Sequence, residues 1–205
     1  MDTYNIWTIG CQMNKADSER LGSALDQMSL SPVESPEEAD VVIVNSCVVR
    51  KSAEDKVTGM LSRLNGSKKS NPDQVIALMG CMVGPRQEKL QKQFPHVDVF
   101  MRPQDYDPLL QLIGLKTGID PDGCVGDLTA TPGVTAFIPI IHGCDKFCSF
   151  CIIPYRRGRE VSRTINDIVR ETELLVERGV KEVTLLGQNV DSYGHDFDKK
   201  TDLAD

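Results

Sequence analysis

Val41-Val42-Ile43-Val44-Asn45-Ser46-Cys47 is a run of four β-branched apolar residues that ends in two polar residues and a cysteine. A short unbroken apolar run of this kind is the pattern of a strand buried on both faces, as in a parallel sheet. The same setting occurs twice more. Tyr4 to Ile9 precedes Cys11, and Val75 to Met79 precedes Cys81. Helical spacing fills the intervals: Leu21, Ala24, Leu25 and Met28 recur within Ala16–Met28, and Val57, Met60, Leu61 and Leu64 within Ala53–Leu64. Strand and helix in alternation imply an open parallel α/β sheet of the Rossmann or flavodoxin kind.

The pattern continues with a helix over Pro85–Phe94, a fourth strand over Val97–Phe100 and a helix over Asp107–Ile113 with Pro108 in its first turn. We place the end of this N-terminal domain near residue 115. Residues 116–134 carry Gly118, Pro121, Gly123, Gly126, Pro132 and Gly133 with little periodicity, the composition of a linker. A second domain is expected over 135–205. It opens with a strand at Thr135–Ile141, followed by a long loop to Arg163. A helix capped by Thr164 then runs over Ile165–Arg178, its apolar face being Ile168, Val169, Leu174, Leu175 and Val176, and Val183–Leu186 is a second parallel strand. One βαβ unit does not cover both faces of its sheet, so this domain is expected to be the start of something larger.

The 205 residues are 40% hydrophobic and 26% charged, a globular balance, and the net charge of −7 argues against a chain-wide basic coat for nucleic acid. No window approaches the roughly 18 to 20 apolar residues of a membrane span. The opening Met1-Asp2-Thr3-Tyr4-Asn5 lacks a basic segment leading into an apolar core, so a cytoplasmic protein without membrane contact is expected. Seven cysteines in such a chain point to thiolates that bind metal or react rather than to disulfides. The three histidines show no nucleophile pattern, and there is no phosphate-binding glycine loop.

Cys11, Cys47 and Cys81 each follow a predicted strand, and the carboxyl ends of neighbouring parallel strands face one crevice. Three cysteines placed there can converge as a metal site. Gly10 and Gly80, each directly before a cysteine, would let backbone approach an inorganic ligand closely. A small buried hydrophobe is the competing account of any one of them, and it weakens for all three together. The second trio is compact: Cys144, Cys148 and Cys151 form a CxxxCxxC run. Three thiolates on one loop can hold three corners of an iron–sulfur cube and leave one iron open. A closed zinc site would instead need a fourth ligand such as His142 or Cys124, and the spacing favours iron. Cys124, in the linker, reads as a spare thiol.

CxxxCxxC with an aromatic residue, Phe150, before its last cysteine, on the first strand-to-helix loop of a βαβ pattern, resembles the radical S-adenosylmethionine (SAM) enzymes. With Cys11, Cys47 and Cys81 ahead of it, the whole chain is similar to the methylthiotransferases. Gly10-Cys11-Gln12-Met13-Asn14, Pro154 to Glu160 and Leu186-Gly187-Gln188-Asn189-Val190 look like the branch that modifies tRNA more than the branch that modifies a ribosomal protein.

The resemblance implies two [4Fe–4S] clusters, one on Cys11, Cys47 and Cys81 and one on Cys144, Cys148 and Cys151, where SAM would bind the open iron and be cleaved to a 5′-deoxyadenosyl radical. It implies hydrogen abstraction from C2 of an isopentenylated adenosine next to the anticodon, sulfur insertion there, and a methyl group from a second SAM. Phe150 would lie against the adenine of SAM or pack under its loop. Gln188 and Asn189 would hydrogen-bond SAM or cap a turn. An external electron donor and tRNA are the implied partners, and a monomer is expected.

Lys146, Arg156, Arg157, Arg159 and Arg163 could meet tRNA phosphates, although a solvated, salt-bridged loop is the default for such a run. Family members continue into a partial TIM-like barrel and an RNA-binding TRAM domain. The chain is therefore expected to be the N-terminal part of an enzyme, without complete activity by itself. Two readings from other classes are an electron-transfer iron–sulfur protein and a structural zinc module.

Overall fold

A computed structural model of the chain describes residues 1–121, 133–199 and 201–204. Two compact units divide it, Met1–Leu128 and Thr129–Asp205.

The first unit is built on strands β1 (Thr3–Thr8), β2 (Ser31–Pro32), β3 (Val41–Ser46), β4 (Val75–Gly80) and β5 (Val99–Met101). All neighbours pair in parallel, in the order β2-β1-β3-β4-β5. This is the flavodoxin-like order, whose switch point lies between β1 and β3. Helices α1 (Gln12–Gln27), α2 (Lys51–Ser70), α3 (Glu88–Gln93) and α4 (Asp107–Thr117) complete it. Every residue of β3 and β4 is buried, as their unbroken apolar runs require. One face of the sheet packs Leu21 and Leu25 of α1 with Leu109, Leu110 and Ile113 of α4 around Ile43, Ala77 and Met79. The other packs Val57, Leu61 and Leu64 of α2 on Val42, Val44, Ile76 and Leu78.

Several boundaries differ from the sequence reading. The fourth strand starts at Val99, because Val97 is tied into a turn by its bond to Phe94 O, and α3 begins only at Glu88. α1 starts four residues earlier than expected, directly after Cys11. α4 continues to Thr117, two residues into the stretch read as linker. The remainder of that stretch lies mostly outside the described residues, Cys124 included.

The second unit contains the expected parallel pair, β6 (Thr135–Pro139) and β9 (Glu182–Leu186), joined through α6 (Ile165–Glu177). Thr164 caps α6, its hydroxyl accepting the Asp167 N–H at 3.2 Å. The loop expected up to Arg163 contains more order than its sequence showed. β7 (Ile141–His142) pairs antiparallel with β8 (Val161–Ser162), and α5 (Ile153–Arg157) lies between them. Of the apolar face expected for α6, only Leu175 is fully buried, whereas Val169 and Val176 are largely exposed. Leu185 of β9 is 44% exposed.

Candidate metal and cofactor centres

The first trio stands where the fold directs it. Cys11 follows β1 and Cys47 follows β3, so the two flank the switch point, and Cys81 follows the next strand. Ser46 and Gly80 are register partners, which sets Cys47 and Cys81 side by side as the next residues of adjacent strands. Cys47 and Cys81 are buried and Cys11 is exposed at the N-cap of α1.

Beneath the trio lies a buried polar network. Asn14, Ser18, Asn45 and Ser46 are all buried, and burial of carboxamides is tolerated only when their hydrogen bonds are made. Here they are. Asn14 Nδ2 donates to Asn45 Oδ1 at 2.8 Å and to Ser46 O at 2.9 Å. Asn45 Nδ2 donates to Asn14 O and to Ser18 Oγ, both at 2.8 Å. The Cys11 thiol donates to Asn14 Oδ1 at 3.2 Å, and Cys81 N donates to the same Ser46 carbonyl at 3.0 Å. This network explains the glycines differently from the sequence reading. A Cβ on Gly10 would stand 2.8 Å from Asn14 Oδ1, and one on Gly80 2.4 Å from Ser46 O. The close approach is to the protein's own polar groups.

The second trio lies on the loop between β7 and β8. Cys144 is buried, Cys148 exposed and Cys151 half-buried, with Cys151 N donating to Cys148 O at 2.9 Å. The loop is clasped at its base. Cys144 N donates to Gly158 O at 3.1 Å, while Asp145 and Glu160 exchange two backbone-to-carboxylate bonds of 3.1 Å each. Arg159 pairs with Asp145 at 2.8 Å and Arg163 with Glu171 at 2.5 Å, so these two members of the basic run serve ion pairs.

Phe150 does not pack under the loop, since it is 91% exposed. The aromatic that makes contacts within the loop is Phe147, although it is itself 43% exposed. It meets Tyr155 edge-on at 5.9 Å between centroids and takes the Arg159 guanidinium 5.5 Å over its ring. Its φ of +46° is rare for a bulky residue, and no sequence pattern signals it.

At the end of β9, Asn189 serves the turn, its amide donating to Ser192 Oγ at 2.6 Å. Gln188 instead keeps a buried Oε1 without a partner, an acceptor that a bound donor would satisfy.

None of the six described cysteines forms a disulfide. Among the described residues no group of three or more His, Cys, Asp or Glu side chains stands ready to hold a metal ion. The donor chemistry fits iron–sulfur clusters, with three thiols at adjacent strand ends and three on one loop, and the unsatisfied Gln188 oxygen suits a ligand beyond β9. No described helix is long and apolar enough to cross a membrane.

Two family models match the chain: "Uncharacterized protein family UPF0004" over residues 3–102 and "Radical SAM superfamily" over residues 138–204. The chain thus joins a UPF0004 segment to a radical SAM segment. It is 48% identical over 205 residues to a protein of Dehalococcoides mccartyi named tRNA-2-methylthio-N(6)-dimethylallyladenosine synthase, covering 100% of this chain and 47% of that relative. A Roseiflexus sp. protein of the same name is 45% identical, with 98% of this chain and 43% of the relative covered. The chain thus spans about half the length of the curated relatives it matches.

Two structures of the radical SAM methyltransferase TsrM from Kitasatospora setae share the fold. One holds tryptophan and the SAM analogue aza-SAM, with TM-score 0.60 and 12% identity, covering 92% of this chain and 48% of that one. The other holds cobalamin and a [4Fe-4S] cluster, with TM-score 0.61 and 13% identity, covering 93% and 50%.

Proposed function

We propose that the protein methylthiolates tRNA, converting N6-isopentenyladenosine next to the anticodon to its 2-methylthio derivative with SAM and two [4Fe–4S] clusters. The observation that carries this reading is the 48% identity, over the whole chain, to a relative named for that product. Two separate sets of three thiols accompany it, one at neighbouring strand ends and one on a single loop. Cys11, Cys47 and Cys81 would hold the first cluster, and Cys144, Cys148 and Cys151 the second.

Such clusters supply, when bound, the electron that cleaves SAM and a site for the sulfur that is inserted. The protein's own residues have other tasks. The Asp145–Glu160 clasp and the Phe147–Arg159 contact tie the start and middle of the CxxxCxxC run to the segment that leads into β8. Gln188 Oε1 offers an acceptor to an amino or hydroxyl group of SAM, and the exposed Phe150 ring offers its face to the adenine. Asn189 shapes the turn that carries Gln188. The reading also takes an external electron donor, a monomer and the cytoplasm as its setting.

Nucleoside analysis of bulk tRNA tests the reading. Disruption of the coding sequence in its host should remove 2-methylthio-N6-isopentenyladenosine and accumulate N6-isopentenyladenosine. Unchanged nucleosides, with a ribosomal protein lighter by one methylthio group, would move the substrate to the ribosome.

A further inference from the structure

We infer that Asn14 is a positioning residue for the first three-cysteine site, setting the spacing of Cys11 from Cys47 and Cys81 through the Ser46 carbonyl. The inference rests on the assignment of a cluster to that trio.

Ser46 O is the common node. It belongs to the peptide unit that leads into Cys47, it accepts the Cys81 N–H at 3.0 Å, and it accepts Asn14 Nδ2 at 2.9 Å. The other end of the Asn14 carboxamide accepts the Cys11 thiol at 3.2 Å. While Cys11 is a protonated thiol, one side chain therefore links all three cysteine positions, although they lie on separate strand-to-helix connections, so Asn14 sets their spacing before the thiol loses its proton to ligate iron. Its orientation is determined, because both hydrogens of Nδ2 are directed to oxygen acceptors, Asn45 Oδ1 and Ser46 O, which leaves Oδ1 toward Cys11.

Helix stability does not account for Asn14. α1 starts at Cys11 without a side-chain cap and without an acidic residue in its first turn, and asparagine is a poor helix former. A buried carboxamide is retained where its bonds specify an arrangement that an apolar residue would leave free. Gly10 and Gly80 support the same arrangement, since a Cβ on either would strike Asn14 or Ser46. Asn45 and Ser18 brace the far side of Asn14, so a shift of Cys11 relative to β3 must break several buried hydrogen bonds together.

The test uses the full chain carrying Cys144→Ala, Cys148→Ala and Cys151→Ala, so that only the first site is read. Iron, acid-labile sulfide, the EPR spectrum and the midpoint potential are measured after anaerobic reconstitution. The parent should hold about four irons. Asn14→Ala should be folded by circular dichroism yet hold under about one. Asn14→Asp, of equal size, puts a carboxylate beside the Cys11 sulfur and should shift the midpoint potential of whatever cluster it retains to lower values.

Tyr4→Phe is the control for lost stability. It removes a buried hydroxyl bonded to Asp26 at 2.8 Å on the amino-terminal side of β1, away from the cysteines, and should leave iron and potential unchanged. About four irons with an unaltered EPR spectrum in Asn14→Ala, or equal iron loss in Tyr4→Phe, would overturn the inference. If Asn14→Ala does not fold, an unshifted potential in Asn14→Asp overturns it instead. A parent without iron would remove the cluster assignment, and this inference with it.

Discussion

Gly80 approaches Ser46 so closely that a Cβ on Gly80 would lie 2.4 Å from the Ser46 carbonyl oxygen, with the glycine at φ +101°. That oxygen accepts the amide of Cys81 and the side chain of Asn14, so the contact stands at the junction of the three strand-end cysteines. Substitution must therefore move the backbone that carries two of them.

Gly80→Ala should cost roughly 2 kcal/mol or more, combining a strained backbone with a backbone clash. Gly66→Ala is the contrasting change. Gly66 lies inside α2 with nothing within 4 Å of an added Cβ, so alanine should stabilise by about 0.5–1 kcal/mol. Urea unfolding followed by fluorescence of Trp7, the single tryptophan, distinguishes the two. Equal midpoints would contradict the geometry.

Arg163 and Glu171 form an ion pair at 2.5 Å with side chains only 20% and 7% exposed, and Arg163 NH1 also donates to Pro139 O at the end of β6. Glu171→Ala strands a mostly buried guanidinium and should destabilise the second unit by about 3 kcal/mol. The joint change Arg163→Met/Glu171→Leu should recover most of that loss. Hydrogen exchange of the β6 and β9 amides reads both variants, and a Glu171→Ala protein with unchanged protection would refute the assignment.

Asp196 responds to acid. Burial works to raise its pKa, but hydrogen bonds from the Ser162 hydroxyl and backbone, its own backbone amide and the charge of His195 outweigh this and hold it below the ordinary value. The Ser162 N–H donates to its Oδ2 at 2.8 Å. A depressed folded-state pKa contributes stability above the unfolded value, near 3.9, and that contribution is lost as pH falls through the folded value. Asp196→Asn should therefore flatten the acid limb of second-unit stability below about pH 4. An unchanged acid limb in the variant would exclude this role.

Much of the fold is legible in the sequence because β3 and β4 are buried on both faces, and only unbroken runs such as Val41–Val44 and Val75–Met79 satisfy that environment. β2 was not legible. It is two residues long, contains Pro32, and is held by backbone bonds such as Ser31 N to Asp2 O rather than by any pattern of its own. The β7–β8 pair and α5 leave no signal for a related reason, since two-residue strands have no alternation to count.

The cysteines announce themselves by type and spacing, but their supports do not. Asn14 lies three residues after Cys11, and its function depends on Ser46, 32 positions away, which only the β1–β3 pairing brings near. Phe147 depends on a left-handed backbone and on Arg159, and neither is encoded in the CxxxCxxC spacing. Phe150, conspicuous in the motif, is the residue the fold leaves outside.

Two independent three-thiol iron–sulfur sites on one chain have a direct analytical signature. It is read as iron and acid-labile sulfide per chain after anaerobic reconstitution, with low-temperature EPR of the reduced protein. The comparison is between the unaltered chain and Cys144→Ala/Cys148→Ala/Cys151→Ala. About eight irons should fall to about four, with one EPR signal lost and one retained. Zinc in place of iron, or an iron content unaffected by the three substitutions, would contradict it.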